Sequence, residues 1–124
     1  LQEQVPAGVE LLLGAKDDAT FGMVVTLGIG GVQTESWDDV QIRLADGAVD
    51  VQDMLDMLRH QSLLDGSSGR AKVEAHALAP TVRRFAALVR DLQDDIEAID
   101  INPIIVHASG QAPTAVDTVF FLRP

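Results

Sequence analysis

Asp100 and Asn102 lie two residues apart in the stretch EAIDINPIIV, Glu97 to Val106. In an extended chain, side chains at i and i+2 leave on the same side, so this spacing sets a carboxylate beside an amide oxygen. Two hard oxygens so placed suit a magnesium ion carried by a nucleotide, because magnesium takes few protein ligands and keeps waters and phosphate oxygens for the rest. Asp117 falls on a following apolar stretch and could converge on the pair if the two strands meet through the HASGQAP turn. The plain alternative makes Asp100 and Asp117 sheet-edge acids and Asn102 a turn former.

Other residues invite weaker readings. GIGG, Gly28 to Gly31, can bring backbone N–H groups close to an anion, but it lacks the lysine of a phosphate loop, and glycines at a strand end also make turns. Glu10 sits mid-strand between Val9 and Leu11, where a charge either faces a cleft or pairs with Lys16 or Arg43. Glu35 and Asp39 take no assignment beyond pairing with Arg43, and Trp37 in a polar loop caps the core or anchors a partner. His60, His76 and His107 follow no metal-ligand spacing; His60 reads as a helix end, where a cation is favourable. No residue is assigned a catalytic role.

Something must position these groups. The 124 residues suffice for one domain with a real core. The apolar fraction of 47% is ordinary, and aromatics are scarce, so the core is aliphatic. No cysteine occurs, which excludes disulfides and thiol chemistry and fits a cytoplasmic protein. The start, LQEQVPAG, does not read as a secretory signal. No apolar run approaches the roughly 20 residues of a membrane span. Nine basic against nineteen acidic residues give a formal charge of −10, which argues against nucleic-acid binding, because phosphate contacts need a positive face.

The elements follow from periodicity. VELLLGAK and FGMVVTL read as an antiparallel hairpin with a loop of about five residues. GIGG breaks the second strand and TESWDD loops after it. In VQIRLA, Val40, Ile42 and Leu44 share one face and Gln41 and Arg43 the other, the pattern of a half-buried strand. Val51, Met54, Leu55 and Leu58 make a helical stripe behind an Asp50 N-cap. DGSSG is a loop. A second helix is expected from about Pro80 to about Gln93, its stripe supplied by Leu78, Val82, Phe85, Val89 and Leu92. IEAIDI, IIVHA and VDTVFFL return to strand. The expectation is an α+β domain, a largely antiparallel sheet with two helices packed on one face.

Taken in order, GVELLLGAKDDATFGMVVTLGIGGVQTE, DMLRHQSLLDG and IEAIDINPIIV with AVDTVFFL resemble the ATP-grasp module of NDP-forming acyl-CoA synthetases, in particular the β chain of ADP-forming acetyl-CoA synthetases. The resemblance covers essentially all of the chain and implies its fold, the C-terminal subdomain of an ATP-grasp. It also implies a single domain, 1–124, that is a fragment of a larger enzyme. The partners it implies are the N-terminal half of the grasp, which carries a lysine and a histidine loop, and the CoA-binding and ligase domains, which carry a phosphohistidine.

The resemblance further implies that Asn102 and Asp117 bind magnesium at the terminal phosphates of ATP or ADP, with Asp100 at the same site. Glu10 falls at the adenine and ribose end, and Gly28, Gly30 and Gly31 near the nucleotide or at a domain contact. RLADG lacks the family's proline, and LLDGSSGR replaces a more basic loop, which puts phosphate contacts from that loop in doubt. The implied activity of the whole enzyme is acid–thiol ligation: carboxylate, CoA and ATP give acyl-CoA, ADP and phosphate through an acyl phosphate and a phosphohistidine, the fragment alone being inactive. The alternative is a regulatory module of a protein-lysine acetyltransferase, which the same module also serves.

Overall fold

The computed structural model describes residues 8–30, 39–67, 72–107 and 111–124. The chain runs β1 (Val9–Asp18), β2 (Gly22–Ile29), β3 (Val40–Leu44), α1 (Val51–Met57), a short 3-10 turn (Gln61–Leu63), α2 (Ala75–Leu92), β4 (Ile96–Val106), β5 (Thr114–Ala115) and β6 (Thr118–Leu122). The strands form one six-stranded sheet, β3-β2-β1-β4-β5 with β6 also on β4, and each pairing is antiparallel. Alternate residues of β1 and β2 (Val9, Leu11, Leu13 and Ala15; Met23, Val25, Leu27 and Ile29) join helix residues such as Met54, Leu78, Val82 and Val89 in one core. The expected fold, helices on one face of an antiparallel sheet, is the one found. Among the described residues no helix is long and apolar enough to cross a membrane.

Local chemistry explains the element ends. The β1–β2 loop is shorter than expected, because Asp18 Oδ1 accepts the Thr20 and Phe21 amides at 2.8 and 3.0 Å and Gly22 takes φ +77. Those two bonds, with a minor part from Lys16, hold the Asp18 carboxyl below the usual carboxylate range. Asp50 caps α1 as read, its Oδ1 accepting Asp53 N–H at 3.0 Å. α2 begins at Ala75, not at Pro80. The alanine-rich turn AHALA is a good helix former and carries α2 through Pro80, whose ring cannot donate to the His76 carbonyl and crowds it.

Two other expectations change. GIGG does not break β2 at Gly28, which lies within the strand. IEAIDI and IIVHA are one strand, β4, which passes through Pro103, in cis to Asn102, with a register shift opposite Leu12. In β3 the apolar residues face away from the helices. Ile42 and Leu44 are 50% and 46% exposed, while Gln41 Nε2 donates to Met57 O and Arg43 Nη2 bonds Asp53 Oδ2 of α1 at 2.6 Å. The polar stripe is the one α1 covers. Residues 31–38 and 68–71, including Glu35, Trp37 and part of DGSSG, lie outside the described residues.

Candidate functional site

The sheet face opposite the helices gathers the polar candidates. Cross-strand partners share a face, and β4 pairs with β6 through Asp100↔Val119 and Ile101↔Thr118. The next rung sets Asn102 against Asp117, and Asn102 N–H donates to Asp117 O at 3.0 Å. Directly opposed Cβ atoms lie about 4.5–5.5 Å apart, so the Asn102 amide and the Asp117 carboxylate are neighbours, with Asp100 one strand step away on the same side. All three are exposed, and no side-chain oxygen of theirs is hydrogen-bonded within the described residues. Gly14 makes room for Asp100: a Cβ there would stand 3.3 Å from Asp100 Oδ1 and 2.9 Å from Thr26 Oγ1.

This donor set fits magnesium. It offers two carboxylates and one amide oxygen, all hard, with open space before them, and magnesium keeps most of its sphere for waters and phosphate oxygens. Among the described residues no group of three or more histidine, cysteine, aspartate or glutamate side chains is placed to hold a metal ion by itself.

Glu10 lies on the same face, half-buried, opposite Ile105. It makes no ion pair with Lys16 or Arg43 among the described residues; Arg43 pairs with Asp53. The glycines serve the sheet. Gly28 is a rung between Leu12 and Val40, and a Cβ on it would stand 3.0 Å from Asp39 O. The Gly30 amide donates to Glu10 O at 2.8 Å, so it is not free for an anion. Gly31 lies outside the described residues.

Lys16, expected only as a possible partner for Glu10, shares the open face with Gly14 by strand parity. It lines a cleft of about 460 Å³ with Thr26, Val40, Ile42 and Asp100. It also borders a second hollow of about 420 Å³ with Phe21, Val24 and Leu44. As diagonal neighbours across β1 and β4, Lys16 and Asp100 have Cα atoms about 7–8 Å apart.

Asp39 and His60 form a separate unit. Asp39 is 3% exposed. Its carboxylate accepts Arg59 N–H at 2.6 Å and His60 N–H at 3.1 Å, and stands 2.6 Å from His60 Nδ1. Burial pushes its pKa up, but these hydrogen bonds together outweigh burial and hold it below the usual range. The expected pairing of Asp39 with Arg43 is therefore replaced by a tie between the residue just before β3 and the segment after α1. His107 is buried and bonds Thr114 Oγ1 through Nε2.

An ATP-grasp domain family matches residues 1–122. Over 116 residues the chain is 33% identical to a 4-hydroxybutyrate–CoA ligase (ADP-forming) of Nitrosopumilus maritimus, covering 93% of this chain and 16% of that protein. It is 28% identical over 117 residues to the subunit β of acetate–CoA ligase (ADP-forming) II of Pyrococcus furiosus, covering 94% of this chain and 50% of that subunit. A dinucleotide-forming acetyl-coenzyme A synthetase of Candidatus Korarchaeum cryptofilum, solved with coenzyme A and Mg-AMPPCP, superposes with a TM-score of 0.81 at 32% identity, over 96% of this chain and 55% of the other. The chain thus spans half or less of the two sequence relatives it matches.

Proposed function

The chain belongs to the ATP-grasp domain family, in the form carried by ADP-forming acyl-CoA synthetases, and from that premise we propose that its open sheet face is one wall of a nucleotide site in such a synthetase. The observation that carries the reading is the rung Asn102–Asp117, with Asp100 beside it, on the face the helices leave open. The three side chains would hold magnesium, which when bound neutralises phosphate charge and aligns phosphoryl groups for transfer. The main-chain bond from Asn102 N–H to Asp117 O, just beyond the β4–β6 ladder, holds the two backbones side by side, so both side chains would start close to the ion. Lys16 adds positive charge in the same cleft as Asp100. Glu10 lies further along the same face and would meet the ribose or base.

The enzyme as a whole would join a carboxylic acid to CoA at the expense of ATP, through an acyl phosphate and a phosphohistidine, with ADP and phosphate as products. This chain contributes nucleotide and magnesium binding; the CoA-binding and ligase domains and the other half of the grasp come from polypeptide beyond it. The test is ADP release by the complete protein with magnesium-ATP, CoA and a panel of carboxylic acids, beside Asp117→Ala. Acid- and CoA-dependent release should fall on the order of 100-fold or more in the variant, the scale of losing several kcal/mol of charge stabilisation. Release untouched by Asp117→Ala overturns the site. Nucleotide binding without turnover on any acid overturns the synthetase and favours a regulatory module.

A further inference from the structure

β6 is an edge strand with no protection on its outer side among the described residues. Asn102 N–H donates to Asp117 O, and Arg123 N–H donates to Asp95 O. Residues 117, 119, 121 and 123 therefore turn their main-chain groups toward β4, and Thr118, Phe120 and Leu122 turn theirs outward. The side chains are just as open. Phe120 and Leu122, on the helix side, are 47% and 70% exposed, and Val119 and Phe121, on the other, are 44% and 46%. Single exposed apolar residues are ordinary, but a run of four on a free edge is a template for strand pairing that proteins ordinarily blunt with lysine, proline or a covering element. The opposite edge strand, β3, is only five residues long and carries Gln41 and Arg43, which hold α1 against one of its faces.

The border of this edge is acidic. At the Leu122 end, Asp95 O accepts the Arg123 amide and Glu97 follows Ile96, the partner of Leu122, so these acids border β6 from the β4 side; Asp117 stands at the other end, and the Arg123 guanidinium is occupied by Asp17 and Gln93 O. Two copies set edge to edge about a two-fold axis would face these acids against one another, in a chain already at −10. We propose that β6 is a docking edge that accepts an extended apolar segment bordered by lysine or arginine, from polypeptide outside these 124 residues, as an added strand. Main-chain bonds to Thr118, Phe120 and Leu122 would supply affinity, the exposed side chains would fill pockets between the two layers, and the acidic border would select the partner.

Amide hydrogen exchange in the complete protein, without nucleotide, tests this with an internal control. The Phe120 and Leu122 amides should exchange about as slowly as those of Val119 and Phe121, which already face β4. Raising salt to 1 M should speed the outer pair and not the inner one, since the border contact is electrostatic. A photo-crosslinker at Leu122 should attach to an apolar stretch bordered by lysine or arginine. Fast outer exchange beside a protected inner pair overturns the proposal, as does a crosslink to β6 of a second copy or exchange indifferent to salt. None of these readouts involves nucleotide, so failure here leaves the outcome for Asp117→Ala untouched.

Discussion

On the helix side of the sheet, Leu11, Leu13, Leu27 and Ile99 are each at most 1% exposed and interlock with α1 and α2. On the other side the sheet presents Lys16, Thr26, Ile42 and Asp100 around an open cleft, with Asn102 two residues beyond Asp100. The covered face is uniform and gains its energy from aliphatic burial. The open face mixes hard oxygens, a cation and exposed aliphatics. That mixture fits a surface awaiting both a charged ligand and a second layer of protein. Alternation within a strand creates two faces but does not say which one a neighbour will cover.

The widest gap between the faces should appear on truncation. Ile99→Ala removes a fully buried side chain from the core and should lower stability by about 2–5 kcal/mol. Asp117→Ala on the open face should change the free energy of unfolding by no more than about 0.5 kcal/mol, the range of ordinary surface changes, while lowering nucleotide-dependent turnover on the order of 100-fold or more. Denaturant melts of both variants beside ADP release check the pair. A large stability loss for Asp117→Ala would make that carboxylate structural and erase the division.

Asp39 is the acid that breaks the pattern, since it is buried and yet has no place on the open face. Asp39→Asn should cost about 1.5–3 kcal/mol, the range for hydrogen bonds to a charged group. The pH dependence has a definite sign. The folded pKa of Asp39 lies below its ordinary value, so its contribution is complete above the unfolded pKa of about 3.9 and is lost as pH falls through the folded value. Urea melts from pH 7 down to 2 should show wild type losing stability below about pH 4, with a flatter curve for Asp39→Asn. Parallel curves would mean that the carboxylate charge does nothing there.

Much of this was legible because it is local. Apolar runs of strand length on either side of a polar loop gave β1 and β2, the Asp50 cap gave the start of α1, and the spacing of Asp100 and Asn102 gave the same-side pair. Pro80 and Pro103 misled in the same way: each reads as a boundary, but good helix formers before one and a long paired strand around the other carried the element through. The Asp39–His60 tie joins residues 21 apart and leaves no periodic trace. The opposition of Asn102 and Asp117 depended on the register with which β6 returns to β4, which types and spacing permit but do not fix.

β3 supplies the smallest and sharpest test, because there the usual ranking of apolar over polar should invert. Ile42 is half exposed toward the cleft, so Ile42→Thr keeps a β-branched strand former and should change stability by no more than about 0.5 kcal/mol. Arg43 lies under α1, its guanidinium on Asp53 and its stem partly buried, and Arg43→Ala should cost about 1 kcal/mol from the exposed pair and the lost packing together. Thermal melts of the two single variants at low salt, repeated at 1 M, should show the Arg43 effect shrinking and the Ile42 effect unchanged. If Ile42→Thr instead costs 2 kcal/mol or more, a scale reserved for buried aliphatics, then Ile42 is covered in solution and the cleft is closed by protein before any nucleotide arrives.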